Sequence, residues 1–165
     1  MTKSADDCTV EVMTQKREVT NTVTATLEDI YRTLLHAQFY QPRGTEEGEE
    51  PNAVGITKTR DGSYLIHVEN DGASFTYTLP PYNSTGFVQE CIGTATGKLQ
   101  TKRLHTFTPV DEATTEEKVE AEYSIDIPIV GPLAEARWAE MLEQELEGRV
   151  SAFEEYAAYR RSLEK

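Results

Sequence analysis

Three histidines and two cysteines are the side chains of this sequence best suited to acid–base, nucleophilic or metal chemistry, and their placement excludes most of it. His36, His67 and His105 stand far apart, so no pair has the short spacing of a local metal motif. Cys8 and Cys91 are too few for a disulfide scaffold and are not spaced as ligands. Reduced thiols are the expectation, with a bridge between the two as the alternative. No Gly-x-Ser-x-Gly elbow occurs, and Cys91 lies in Gln89-Glu90-Cys91-Ile92-Gly93 without a protease context. Gly93-Thr94-Ala95-Thr96-Gly97-Lys98 ends like a phosphate loop, but the spacing is wrong and strand-like residues follow, so it is read as a hairpin turn. Glu46, Glu47, Glu49 and Glu50 lack the oxygen-ligand spacing of a calcium loop and read as a solvated acidic connection over residues 44–52. One histidine keeps a claim: His105 shares strand phase with the apolar Phe107, which makes it the candidate for chemistry inside a pocket. No catalytic residue, metal site or cofactor is assigned.

The elements that would hold such a pocket are legible in the periodicity. Val10, Val12, Val19 and Val23 with many threonines predict a first strand. Thr26-Leu27-Glu28-Asp29 then reads as a capping box with aspartate in the usual Glu position, opening a short helix through Ile30, Tyr31, Leu34 and Leu35. Arg60-Asp61-Gly62 and Asn70-Asp71-Gly72 turn successive hairpins. Six strands are expected over Val54–Thr59, Ser63–Glu69, Ala73–Leu79, Phe87–Thr94, Leu99–Thr108 and Val119–Ile129. In the last of these, Val119, Ala121, Tyr123, Ile125 and Ile127 alternate with polar residues. Tyr64, Ile66 and Val68 share one phase, as do Phe75, Tyr77 and Leu79, giving an inner face rich in tyrosine.

After Gly131-Pro132 a long helix is predicted from about Leu133 to Arg160. Its apolar stripe is Trp138, Met141, Leu142, Leu146, Val150, Phe153 and Ala157, and the sheet is the large apolar surface available to cover it.

At 165 residues the chain fits one domain, with residues 1–8 expected to be flexible. A hydrophobic share of 38% against 27% charged is that of a water-soluble globule. No apolar run is long enough to insert in a membrane and no secretory leader is apparent, so a cytoplasmic location is expected. For the same reason Asn83-Ser84-Thr85 is read as a turn rather than a glycosylation site. A net charge of −13 disfavours nucleic acid, the nearest basic cluster being only Lys98, Lys102 and Arg103. The oligomeric state is left open.

The order of strand, capped short helix, strand meander and long C-terminal helix resembles the START-like superfamily, SRPBCC or Bet v 1-like, from about Val10 to Tyr159. The passage Ile125-Asp126-Ile127-Pro128-Ile129-Val130-Gly131 resembles one in uncharacterised actinobacterial members. The resemblance implies an α+β helix-grip fold, in which a curved antiparallel sheet of six to seven strands wraps the C-terminal helix. It also implies a cavity between the two for a small hydrophobic ligand such as a lipid, polyketide or aromatic compound. Tyr64, Phe75, Tyr77, His105, Phe107, Tyr123, Trp138, Met141 and Leu142 are the candidate lining. Members of the superfamily also include polyketide cyclases and aromatases and activators of the Hsp90 ATPase. Ligand binding, cyclase-like catalysis and protein interaction are therefore all carried forward.

Overall fold

The computed structural model describes residues 13–41, 51–70, 72–95, 99–125 and 131–163. Strand β1 (Met13–Val23) leads into helix α1 (Leu27–Thr33) and a single 3-10 turn (Ala37–Tyr40). Strands β2 (Ala53–Lys58), β3 (Tyr64–Asn70), β4 (Ala73–Leu79), β5 (Phe87–Ala95), β6 (Leu99–Pro109) and β7 (Thr115–Ile125) follow, and helix α2 (Gly131–Leu163) closes the order. All strands join one antiparallel sheet in the order β1-β7-β6-β5-β4-β3-β2. This is the helix-grip architecture expected above.

The differences lie at element ends. β7 starts at Thr115, before the expected Val119, which brings Glu117 into the strand; residues 126–129 of that prediction fall outside the described residues. So do Val10 and Val12 of the first strand, the acidic stretch 44–50, and Cys8. Cys91 is buried as a free thiol.

Local chemistry explains the joints. Thr26 caps α1 by accepting the Asp29 N–H at 3.1 Å, which satisfies one of the helix's orphan donors. The Asp29 carboxylate turns instead to Arg160 of α2, with Oδ1 3.5 Å from Nε. Beside it, the Thr24 N–H donates to Glu154 Oε2 at 2.8 Å. The joint between β1 and α1 is thereby fastened to the last turns of α2.

The sheet alternates as a one-sided sheet must. On β7, Thr115, Glu117, Val119, Ala121 and Tyr123 are all buried; on β6, so are Thr101, Arg103, His105 and Phe107. Helix α2 lays Leu142, Leu146, Arg149, Phe153 and Ala157 over this concave face, one residue per turn. The apolar core falls into two clusters. The larger gathers α1, β3 to β6 and the end of α2 around Phe107 and Phe153; the smaller joins Val119 and Ala121 to Leu142 and Leu146.

Gly93 shows how tightly the concave face is filled. It pairs with Phe75 across β4 and β5, and a Cβ there would lie 2.2 Å from the Phe75 ring and 2.6 Å from the Ser74 carbonyl oxygen. The ring therefore rests on bare backbone. We expect Gly93→Ala to displace Phe75 and lower stability by about 1–3 kcal/mol in urea unfolding; an unchanged midpoint would contradict the close approach.

Candidate functional site

Burial should strip the concave face of charge, yet five ionisable residues meet between the sheet and α2. Glu117 of β7 is fully buried, and its Oε2 is shared by two donors. His105 Nδ1 lies 3.0 Å from it and Arg149 Nη2 of α2 also 3.0 Å. The Arg149 guanidinium additionally sits over the rings of Phe39 and Phe153, 5.1 Å and 5.4 Å from their centres. A second pair lies alongside, with Arg103 Nη1 of β6 2.8 Å from Glu145 Oε2 of α2.

The neighbouring charges set the protonation states. Burial alone would raise the Glu117 pKa, but the Arg149 charge and the donors from His105 and Arg149 outweigh it and hold the value at about 2. Burial pushes His105 down to about 4, with Arg149 and Arg103 pushing the same way against Glu117. His105 is thus a neutral imidazole at pH 7, and its contact with the carboxylate places the proton on Nδ1. Partial desolvation would raise the Glu145 pKa, but Arg103 beside it lowers it.

Above this layer opens a cleft of about 550 Å³ between β3, β4, the 3-10 turn and α2. Such a volume lies within the range of small-molecule sites, about 300–1,000 Å³. Phe39, Val68, Phe75, Tyr77 and Ala152 give it apolar walls; Arg103, Glu145 and Arg149 give it a charged floor. Its rim is built from amides already engaged with one another. Gln41 and Asn52 exchange two bonds of 2.8 and 2.7 Å, Asn52 Nδ2 donates to the Tyr40 carbonyl, and Asn70 Nδ2 donates to Asn52 Oδ1. Deeper in, the Tyr40 hydroxyl donates to the Leu34 carbonyl and accepts from Gln89. Burial drives the hydroxyl pKa of Tyr40 and Tyr77 upward, so both stay protonated.

The structure distributes the expected lining residues over several places. Phe75, Tyr77 and Met141 line the cleft, Met141 at its mouth with 61% of its surface exposed rather than on the covered stripe. His105, Phe107, Tyr123 and Leu142 are buried within the core. Tyr64 is half-buried on β3 beneath Lys58, away from the cleft, and the Trp138 side chain lies outside the described residues. Sequence reasoning missed Arg103, Glu117, Glu145 and Arg149. For three of them a signal existed: Arg103 shares phase with His105 and Phe107, Glu117 with Val119 and Ala121, and Arg149 falls on the stripe of Leu142, Leu146 and Phe153.

No protein-family model matches the sequence, and no curated protein matches it. Solved structures do. An aromatase/cyclase from a Streptomyces species shares 14% identity over 90% of this chain and 96% of its own, with a TM-score of 0.62. The di-domain aromatase/cyclase of the steffimycin biosynthetic pathway shares 13% over 90% of this chain and 52% of its own, at 0.63. Norcoclaurine synthase of Thalictrum flavum shares 14% over 92% of this chain and 99% of its own, at 0.56. At these identities the likeness is one of fold, and the chain has the helix-grip fold of Bet v 1-like proteins. Among the described residues, no helix is long and apolar enough to cross a membrane.

The buried imidazole makes a pH prediction. An unfolded chain binds a proton at His105 below its ordinary value of 6.5, whereas the folded one refuses it until about 4. Stability is therefore fully present above the former value and falls as pH drops towards the latter, by up to roughly 1.4 kcal/mol per pH unit from this residue. Urea midpoints measured from pH 7 to 4 should show that slope in the wild type and a flatter one in His105→Phe. Parallel slopes would contradict a neutral, buried His105.

Proposed function

We propose that the protein binds a small, largely apolar molecule in the cleft between β3, β4 and α2. The observation that carries this reading is the composition of the cleft: aromatic and aliphatic walls from Phe39, Val68, Phe75, Tyr77 and Ala152 around space of ligand size. Apolar walls left open to water favour an occupant that removes them from it. Phe75, Tyr77 and Met141 of the expected lining face it, whereas His105, Phe107, Tyr123 and Leu142 are buried in the core.

A second reading, an enzyme of the aromatase/cyclase type, is favoured by the Arg103–Glu145 pair beside Tyr77. A charged pair could orient a folded substrate, and the high pKa of Tyr77 makes its hydroxyl a donor rather than a base. The third, a pure interaction module, is disfavoured by the open cleft.

Titration with the neutral fluorophore phenylnaphthylamine tests the binding reading. Saturable one-to-one binding is expected, weakened about tenfold or more by Ala152→Trp, which fills the cleft from α2 and removes no charged residue. Absence of saturable binding, or binding indifferent to Ala152→Trp in a variant that unfolds cooperatively, would overturn it.

A further inference from the structure

We infer that the ligand carries an anionic oxygen group, a carboxylate, sulfonate or enolate, and that this group replaces Glu145 on Arg103. The inference rests on the binding reading above and adds the ligand's charge and the residue it displaces.

Arg103 is short of acceptors. Its guanidinium is buried, always charged, and rich in donors in fixed directions. Among the described residues, Glu145 meets Nη1 at 2.8 Å as an ion pair, and Nε has no acceptor. Arg149 Nε is in the same condition. Buried donors left without acceptors are costly, and charged ones more so. The amides of the rim offer no remedy, because Gln41, Asn52 and Asn70 are bonded among themselves and to the Tyr40 carbonyl. Gln89 Oε1 and Glu117 Oε1 are also unpartnered but do not line the cleft; among the residues that do, what is missing is acceptor oxygens.

Glu145 is built to yield. Its side chain keeps 45% of its surface exposed while that of Arg103 keeps 7%, so the arginine is fixed and its carboxylate partner is half in water. Rotating Glu145 outward returns its charge to solvent, where a carboxylate is well hydrated. The same rotation frees Arg103 Nη1, the atom that Glu145 meets. An anionic group entering from the cleft then meets Arg103 with freedom to align, which an ion pair held by the helix backbone does not have. With Glu145 displaced, the floor holds Arg103 and the Arg149–Glu117 pair, one positive charge in excess, and the ligand's anion neutralises it. The chain's charge of −13 gives no general attraction for anions, so selectivity depends on this position.

The test compares two probes with the same aromatic body, anilinonaphthalene sulfonate, which is anionic, and phenylnaphthylamine, which is neutral. The readout is the ratio of their affinities. Glu145→Gln removes the competing carboxylate and should raise the ratio in favour of the anion about tenfold; Arg103→Met should lower it by a similar factor. Arg103→Lys, which keeps the charge without the planar fork, should fall between Arg103→Met and the wild type and serves if the methionine variant does not unfold cooperatively. A ratio unmoved by Glu145→Gln and by either Arg103 variant, with the neutral probe still bound, overturns this inference alone. Failure of the wild type to bind either probe overturns the binding reading with it.

Discussion

The constraint on which the rest depends is that the Glu117 carboxylate is buried beneath α2 and must find its donors there. A carboxylate removed from water carries a desolvation penalty of several kcal/mol, offset only when charge and hydrogen bonds meet it in good geometry. Here they come from two directions. His105 reaches it from the neighbouring strand and Arg149 from the helix above, both onto the same oxygen. Because β6 and β7 are fixed in register, the position of Arg149 sets where the long helix crosses the sheet. Apolar contacts alone would tolerate a helix shifted by part of a turn; an arginine that must reach one oxygen does not.

That fixed crossing divides the interior. On one side α2 packs Leu142 and Leu146 onto Val119 and Ala121; on the other it packs Phe153 and Ala157 against Phe107 and the residues of α1. Phe39 stacks on Phe153 with ring centres 5.0 Å apart and receives the Arg149 guanidinium on its face, so the same arginine orders the 3-10 turn that forms one wall of the cleft. The opposite wall depends on Phe75 lying across Gly93. The cleft is thus bounded by a charged layer and by rings, and neither can collapse into it without uncovering an ion or straining a strand.

The architecture was legible in the sequence because it depends on periodicity and turn chemistry. Strand alternation, the Thr26 cap and the Gly62 and Gly72 turns each act locally, and both glycines adopt the positive φ that their turns require. The charged layer was not legible for a different reason. Glu117 and Arg149 are polar residues in apolar phases, a violation that local reasoning reads as a strand or stripe ending early. The last strand was accordingly expected to begin at Val119, past the carboxylate. Only pairing across β6, β7 and α2 makes burial of those charges tolerable, and such pairing is a property of tertiary structure. His105 could be singled out by its phase, but its role as a donor to Glu117 could not. Met141 fails in the opposite sense, an apolar residue on the helical stripe that the crossing angle leaves at the mouth of the cleft.

A double-mutant cycle on the ion pair tests this account most directly. Glu117→Leu and Arg149→Met should each cost about 3–5 kcal/mol of unfolding free energy, since each leaves a buried charge without its partner. The double variant should recover most of that loss, because two apolar side chains of similar size leave no charge to solvate. Additive losses in the double variant would show that the two residues stabilise the grip independently, and would contradict the claim that their pairing positions the helix.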